Sequence, residues 1–282
     1  METLRKQGVL LPISYKVVSS GLKDLTAMLS QYSSATPEVI TADADKIESV
    51  VKKCHFLCIV EDLNPARYRQ DMLLGREEMD RTLAAMARFH GVTWQNPELL
   101  SAAKEHLFEN GAYWSPDKRD AKEVVSLPKV WNEWLEQFSA VLGKEICESV
   151  GVKRLGSRLS ASAEAVSDRL HQSFDSPHQC LVHGDLKTAN ILLATDWDAA
   201  ALQQGDGGVM LIDFQWTGIG LAAQDLAYLF ASSAHLDVLQ SADQTRALLS
   251  RYLELLAVAS GGRSASYSIE MLQRDMDLVR RE

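Results

Sequence analysis

Two aspartates and an asparagine, each reached through an apolar run, define the chemistry this chain is equipped for. Leu181 to Asn190 reads LVHGDLKTAN, so that His183, Gly184 and Asp185 follow an apolar segment and Asn190 comes five residues after Asp185. Asp213 lies 23 residues beyond Asn190, at the end of the apolar run Val209 to Ile212. Transfer of a phosphoryl group from a nucleotide asks for a group that orients the acceptor hydroxyl and takes its proton, and for oxygens that hold Mg²⁺ against the phosphates. Asp185, placed after a strand and a glycine, is expected to project from a loop, which makes it the general-base candidate. Asn190 offers a neutral oxygen and Asp213 an ionised one, the hard ligands that Mg²⁺ prefers. Lys187 is placed to meet the γ-phosphate as a point charge. Asp225 falls among apolar residues in QDLAYLF. A buried carboxylate needs donors, so Asp225 is expected to accept from backbone amides and, with His183, to support the loop. A single aspartate at a strand end is usually a cap or a solvated turn. The ordered set His-x-Asp-x-x-x-x-Asn followed by apolar-Asp-Phe carries the reading.

These residues need strands and helices to position them. Val9 to Val18 and His55 to Val60 read as strands, the second as a continuous buried run. Between them, Leu22 to Tyr32 has a short helical stripe, and Val39-Ile40 reads as the start of a further strand. From Gly75 the pattern turns helical: Met79, Leu83, Met86 and His90 share one face, with Gly91 as the stop. His90 on that stripe reads as a satisfied core histidine. A helix around Leu99 to Phe108, one along Val130, Trp134, Phe138, Val141 and Ile146, and one along Leu159 to Phe174 follow, their apolar stripes read as core. Cys180 to His183, Ile191 to Ala194 and Val209 to Ile212 are short strands, the last of these closing the strand inventory. The polar connection 195–208 between the latter two ends in an Asp-Gly-Gly turn signal. Beyond Gly220 the chain is expected to be helical.

Bulk composition narrows the partners. The 282 residues carry a net charge of −9, which argues against nucleic acid and an anionic membrane face and is compatible with a cationic small substrate. Cys54, Cys58, Cys147 and Cys180 have neither metal-ligand spacing nor a disulfide framework, and Cys54 and Cys58 read as buried strand residues. The N-terminal apolar run is too short for a signal peptide, and no run approaches about 18 apolar residues. A reducing, cytoplasmic setting is expected.

HGDLKTANILL together with LIDFQWTGIGLAAQDLAYLF resembles the aminoglycoside phosphotransferase and choline-kinase-like superfamily, and within it the CHK-kinase-like, or ecdysteroid-kinase-like, branch. The family's His-Gly-Asp is present at His183 to Asp185 and its Asp-Phe-Gln at Asp213 to Gln215. Its Glu-Asp-Leu hinge is matched by Glu61, Asp62 and Leu63, its A-x-x-H helix by Ala87 to His90, and its Y-S-x-E segment by Tyr267 to Glu270. The resemblance spans residues 55–282. It implies an α+β, bilobal protein-kinase-like fold with a small β-containing lobe (residues 1–60), a hinge (61–65) and a large, mainly helical lobe (66–282). It implies ATP- and Mg²⁺-dependent phosphorylation of a small-molecule alcohol, with Asp185 as base, Asn190 and Asp213 as Mg²⁺ ligands, and the backbone of Glu61, Asp62 and Leu63 against adenine. His-Gly-Asp, Asp-Phe-Gln and the lack of an Ala-Pro-Glu segment count against a protein substrate.

The chain departs from the family at its small lobe. Lys16 in ISYKVV is the counterpart of the ATP-binding lysine, with Asp24 or a neighbour as its acidic partner; an edge-strand lysine keeping its ammonium in water is the other reading. Fifteen residues with a lone Gly8 precede Lys16, so the Gly-rich phosphate-covering hairpin is expected to be missing, the lobe truncated and the gene product fragmentary. Positioning is most of what this chemistry uses, which leaves a second reading: a catalytically impaired kinase-fold protein that binds nucleotide or a partner. The acceptor pocket is expected from residues 94–175 and the C-terminal segment. Trp94, Trp114, Trp131 and Trp134 are candidates for a cationic-substrate cage, with Trp134 better explained as core.

Overall fold

The computed structural model describes residues 2–6, 8–11, 14–20, 27–28, 31, 39, 42–53, 55–60, 62–112, 118, 120–173, 178–198 and 207–280, with backbone only at 2–3, 14–20, 55–60 and 170–173. The chain is α+β and forms two compact units, Leu11–Pro65 and the remainder. The first ten residues, expected in the small lobe, belong to the larger unit. There the short helix Glu2–Lys6 (α1) leads to Leu10, which bridges to Met210 and accepts from Leu211 N at 3.3 Å.

In the smaller unit Ser14–Ser20 (β1) pairs antiparallel with His55–Val60 (β2), Lys16 standing opposite Ile59. The strand thus lies later than the expected 9–18, where Leu10 contributes only an isolated bridge. Ala44–Lys52 (α2) was not expected; Val39, read as strand, is helical. The helix expected over Leu22 to Tyr32 lies mostly outside the described residues, as do Asp24, Glu61, Cys54 and the side chains of Lys16 and Cys58.

In the larger unit the helix Arg76–Thr93 (α3) is mostly buried and packs Met79, Leu83, Met86 and Phe89 inward. The expected stop at Gly91 is instead a crossing point, because a Cβ there would meet Ala259 Cβ at 2.6 Å and its carbonyl carbon at 2.8 Å. Pro97–His106 (α4) is capped by Asn96. Ala121–Gln137 (α5) packs against Leu155–Ser173 (α6), with short helical turns between them. Here the inward face was misjudged. Leu135 is the buried residue of α5, whereas Trp134 is 41% and Val141 84% exposed, and Val130, Phe138 and Ile146 are exposed too. Periodicity locates a stripe but does not say which side of it meets a neighbour.

Two small sheets support the loop of interest. Gln179–Val182 (β4) pairs antiparallel with a strand at Gly218–Leu221, and Tyr68–Arg69 (β3), Ile191–Ala194 (β5) and Val209–Leu211 (β6) form a three-stranded sheet in the order β3-β5-β6. The Gly218–Leu221 strand (β7) corrects the expectation that β6 is the last. Ala222–Ser233 (α7), Ala242–Ala259 (α8) and Ile269–Val279 (α9) complete the unit. Among the described residues no helix is long and apolar enough to cross a membrane.

Candidate active site

The loop 183–190 leaves the buried end of β4 and is held from several sides. His183 is fully buried; its Nε2 donates to Ile212 O (2.8 Å), so Nδ1 accepts the Asp185 amide (3.3 Å). Its ring lies against Phe214, which in turn meets Phe89 of α3. Gly184 takes φ +82°, and a Cβ there would meet Trp216 O at 2.3 Å, so both the turn and the close approach require glycine. Farther along, Thr188 N donates to Ser233 Oγ (3.0 Å) and Gln70 Nε2 to Ala189 O (2.7 Å).

Asp225, in the first turn of α7, accepts from His183 N (2.7 Å) and Gly184 N (2.9 Å), and also from His90 Nε2 (3.0 Å). Tyr252 O–H faces the other nitrogen of His90 at 2.8 Å. Burial alone would raise the pKa of Asp225, but the hydrogen bond and field of His90, the field of His183 and the Gly184 amide outweigh it and hold the carboxyl below its ordinary value. Burial pushes the Tyr252 hydroxyl well up, so it stays a donor. His90 is thus a satisfied core histidine that also reaches the loop support; its helical spacing marked it as buried but gave no sign of Asp225 or Tyr252.

Asp185 is only 4% exposed. Its Oδ2 accepts from Lys187 Nζ (2.9 Å) and Asn190 Nδ2 (3.3 Å), and its carbonyl accepts from Asn190 Nδ2 (2.7 Å). The Asp185 bond is the main reason the Lys187 pKa is raised. Both side-chain bonds of Asn190 use Nδ2, which leaves Oδ1 to face another group. Ile212 N donates to Asn190 O (3.1 Å), and the next residue, Asp213, is exposed in a left-handed conformation (φ +61°), with Gln215 Nε2 at 3.3 Å from its carboxylate.

The geometry therefore brings Asp185, Lys187 and Asn190 together, sets Asp213 one residue past Ile212, which follows β6 and donates to Asn190 O, and ties His183 and Asp225 beneath them. Among the described residues there is no cluster of three His, Cys, Asp or Glu suited to a metal ion. The amide oxygen of Asn190 and the carboxylate of Asp213 are hard oxygen donors, of the type that suits Mg²⁺ when waters and phosphate oxygens complete its shell. Asp62 is exposed and Leu63 half-buried, both in irregular backbone. Among the described residues, Trp94 does not join Trp131 and Trp134 in one cage. Trp94 is buried with His178 and Tyr267, Trp131 and Trp134 stack on each other at 5.3 Å, and Trp114 lies outside the described residues.

The sequence model of the ecdysteroid kinase-like family matches residues 13–260. The chain belongs to that family. The match agrees with the motif resemblance to the aminoglycoside phosphotransferase and choline-kinase-like superfamily. Among solved structures, a type VIII aminoglycoside-3'-phosphotransferase is similar at 17% identity over 99% of this chain and 76% of its own, with a TM-score of 0.42. A GDP complex of a mutant aminoglycoside 2'-phosphotransferase-IIIa is similar at 16% identity over 81% of this chain and 67% of its own, with a TM-score of 0.34. Comparison with curated proteins gave no match. This ecdysteroid kinase-like chain also contains residues that motif reading passed over: Arg81, Gln70, Thr217 and Ser233 all bond to the backbone of the loop or its flanking strands.

Proposed function

We propose that this chain is an ATP- and Mg²⁺-dependent phosphotransferase acting on a hydroxyl of a small molecule. The observation that carries the reading is the arrangement at Asp185: a nearly buried carboxylate oriented by Asn190 Nδ2 and Lys187 Nζ. Asp213 stands just beyond the hairpin end bonded to Asn190. In this reading Asp185 orients the acceptor hydroxyl and takes its proton at a carboxylate oxygen. Lys187 leaves Asp185 to meet phosphate oxygens as a point charge. Asn190 Oδ1 and the Asp213 carboxylate hold Mg²⁺, which when bound neutralises charge on the phosphates. His183 and Asp225 keep the loop in place, and Lys16 with the backbone of Glu61, Asp62 and Leu63 contacts the nucleotide from the small lobe, 61–65 being the hinge. We place this activity in the cytoplasm. The test is ADP release from Mg-ATP across a panel of small alcohols, cationic ones included. Alcohol-dependent release that disappears in Asp185→Ala supports the reading; equal release from that variant removes it.

A further inference from the structure

The β5–β6 hairpin carries the two proposed metal ligands at one end, and something must set its register. Hairpins normally obtain register from a tight turn of two to five residues. Here 13 residues, 195–207, separate Ala194 from Gly208, and a connection of that length leaves pairing free to slip. A slip of one residue would carry Asp213 about 3.3 Å along the strand and exchange the buried and open faces.

Arg81, on α3, meets both arms where they leave the sheet. Its Nη2 donates to Ala194 O at the end of β5 (2.8 Å) and to Gly208 O ahead of β6 (3.3 Å), while Nε donates to Gly207 O (2.7 Å). The guanidinium lies 4.3 Å over the Trp197 ring, and the residue is 3% exposed. Its nearest acid is Glu77, exposed and 3.8 Å away, so the fork is satisfied chiefly by carbonyls. The fit is close: a Cβ on Gly207 would meet Arg81 O at 2.1 Å. At the far end of the same hairpin, Ile212 N donates to Asn190 O, and Asp213 follows.

We propose that Arg81 is a positioning residue that fixes the β5–β6 register and thereby the placement of Asn190 against Asp213. The link to metal placement rests on the phosphotransferase reading above. Lysine is a poor substitute, because a single ammonium lacks the planar fork that spans two strands.

The experiment compares residue-resolved amide exchange in the free protein for wild type, Arg81→Met, Arg81→Lys and a cavity control, Leu256→Ala. The expected result is at least roughly tenfold faster exchange at Ala194, whose amide donates to Gly208 O, and at Ile212 in both Arg81 variants, with β4 and α7 unchanged. The Ile212 amide reports the bond to Asn190 directly, and the control should not select these two sites. Retained protection at Ile212, or a loss spread evenly over all elements, would overturn the proposal. Mg-ATP titration of the same proteins separates the two claims. Absence of binding by wild type counts against the phosphotransferase, while the exchange pattern still decides the role of Arg81. If Arg81→Met does not fold, Arg81→Lys keeps the stem and charge and carries the comparison.

Discussion

His90 Nε2 lies 3.0 Å from Asp225 Oδ2, and this one bond ties α3 to the loop that carries Asp185. The same carboxylate holds the amides of His183 and Gly184. The position of the candidate base is therefore an outcome of core packing: α3, α7 and, through Tyr252, α8 all bear on it.

Replacing Asp225 with Asn keeps the size but removes one acceptor and the charge, and the expected loss is about 2 kcal/mol at neutral pH. The folded-state pKa of Asp225 is depressed below its ordinary value of 3.8. Its stabilisation is therefore fully present above the ordinary carboxylate range and is lost as pH falls through the lower folded value. Urea unfolding at a series of pH values should show the gap between wild type and Asp225→Asn steady above about pH 5 and closing below about pH 4. A gap that stays constant in acid would show that the carboxylate is not held low.

The Asp185–Lys187 pair makes a prediction that needs no acceptor. Hydrogen bonding to Asp185 raises the pKa of Lys187 and so lowers its fraction of free amine. In Asp185→Asn that fraction should rise, and Lys187 should be acylated faster than in wild type at the same alkaline pH. Labelling followed by peptide mass analysis checks this, with exposed Lys129 as the internal reference. An unchanged ratio of Lys187 to Lys129 labelling would remove the pair as a solution feature.

Gly184 combines a left-handed backbone with contact against Trp216 O. Gly184→Ala should cost about 1–2 kcal/mol for the backbone alone, with the clash adding to it. The displaced loop should lose phosphoryl transfer by more than the stability change explains. Thermal unfolding and turnover measured on the same preparation separate the two effects; full activity at reduced stability would mean the loop tolerates the shift.

How much of this was legible depended on range. Apolar runs that deliver Asp185 and Asp213 are local signals, and β4, β5 and β6 lie where those runs predict. The Gly218–Leu221 strand was illegible because two of its four residues are glycines, which weaken a strand signal; it is a strand through pairing with Gln179–Val182, about 40 residues earlier. The α5 stripe of Val130, Trp134 and Phe138 showed a helix but not which face packs. The partners of His90 and Arg81 lie more than a hundred residues away along the chain, so their buried environments could be inferred only in part, and their bonds not at all.

The central claim is that Asn190 and Asp213 hold a metal–nucleotide complex. Asp213→Asn tests it most directly, because asparagine accepts the left-handed backbone at 213 while removing the charge. Thermal unfolding of wild type titrated with Mg-ATP should rise by several degrees near saturation, since ligand at about 100 times its Kd contributes about 2.7 kcal/mol. ATP without Mg²⁺ should give a much smaller rise, and Asp213→Asn should unfold like free wild type yet lose most of the Mg-ATP response. No shift for wild type at millimolar Mg-ATP, or an equal shift in Asp213→Asn, would contradict the account.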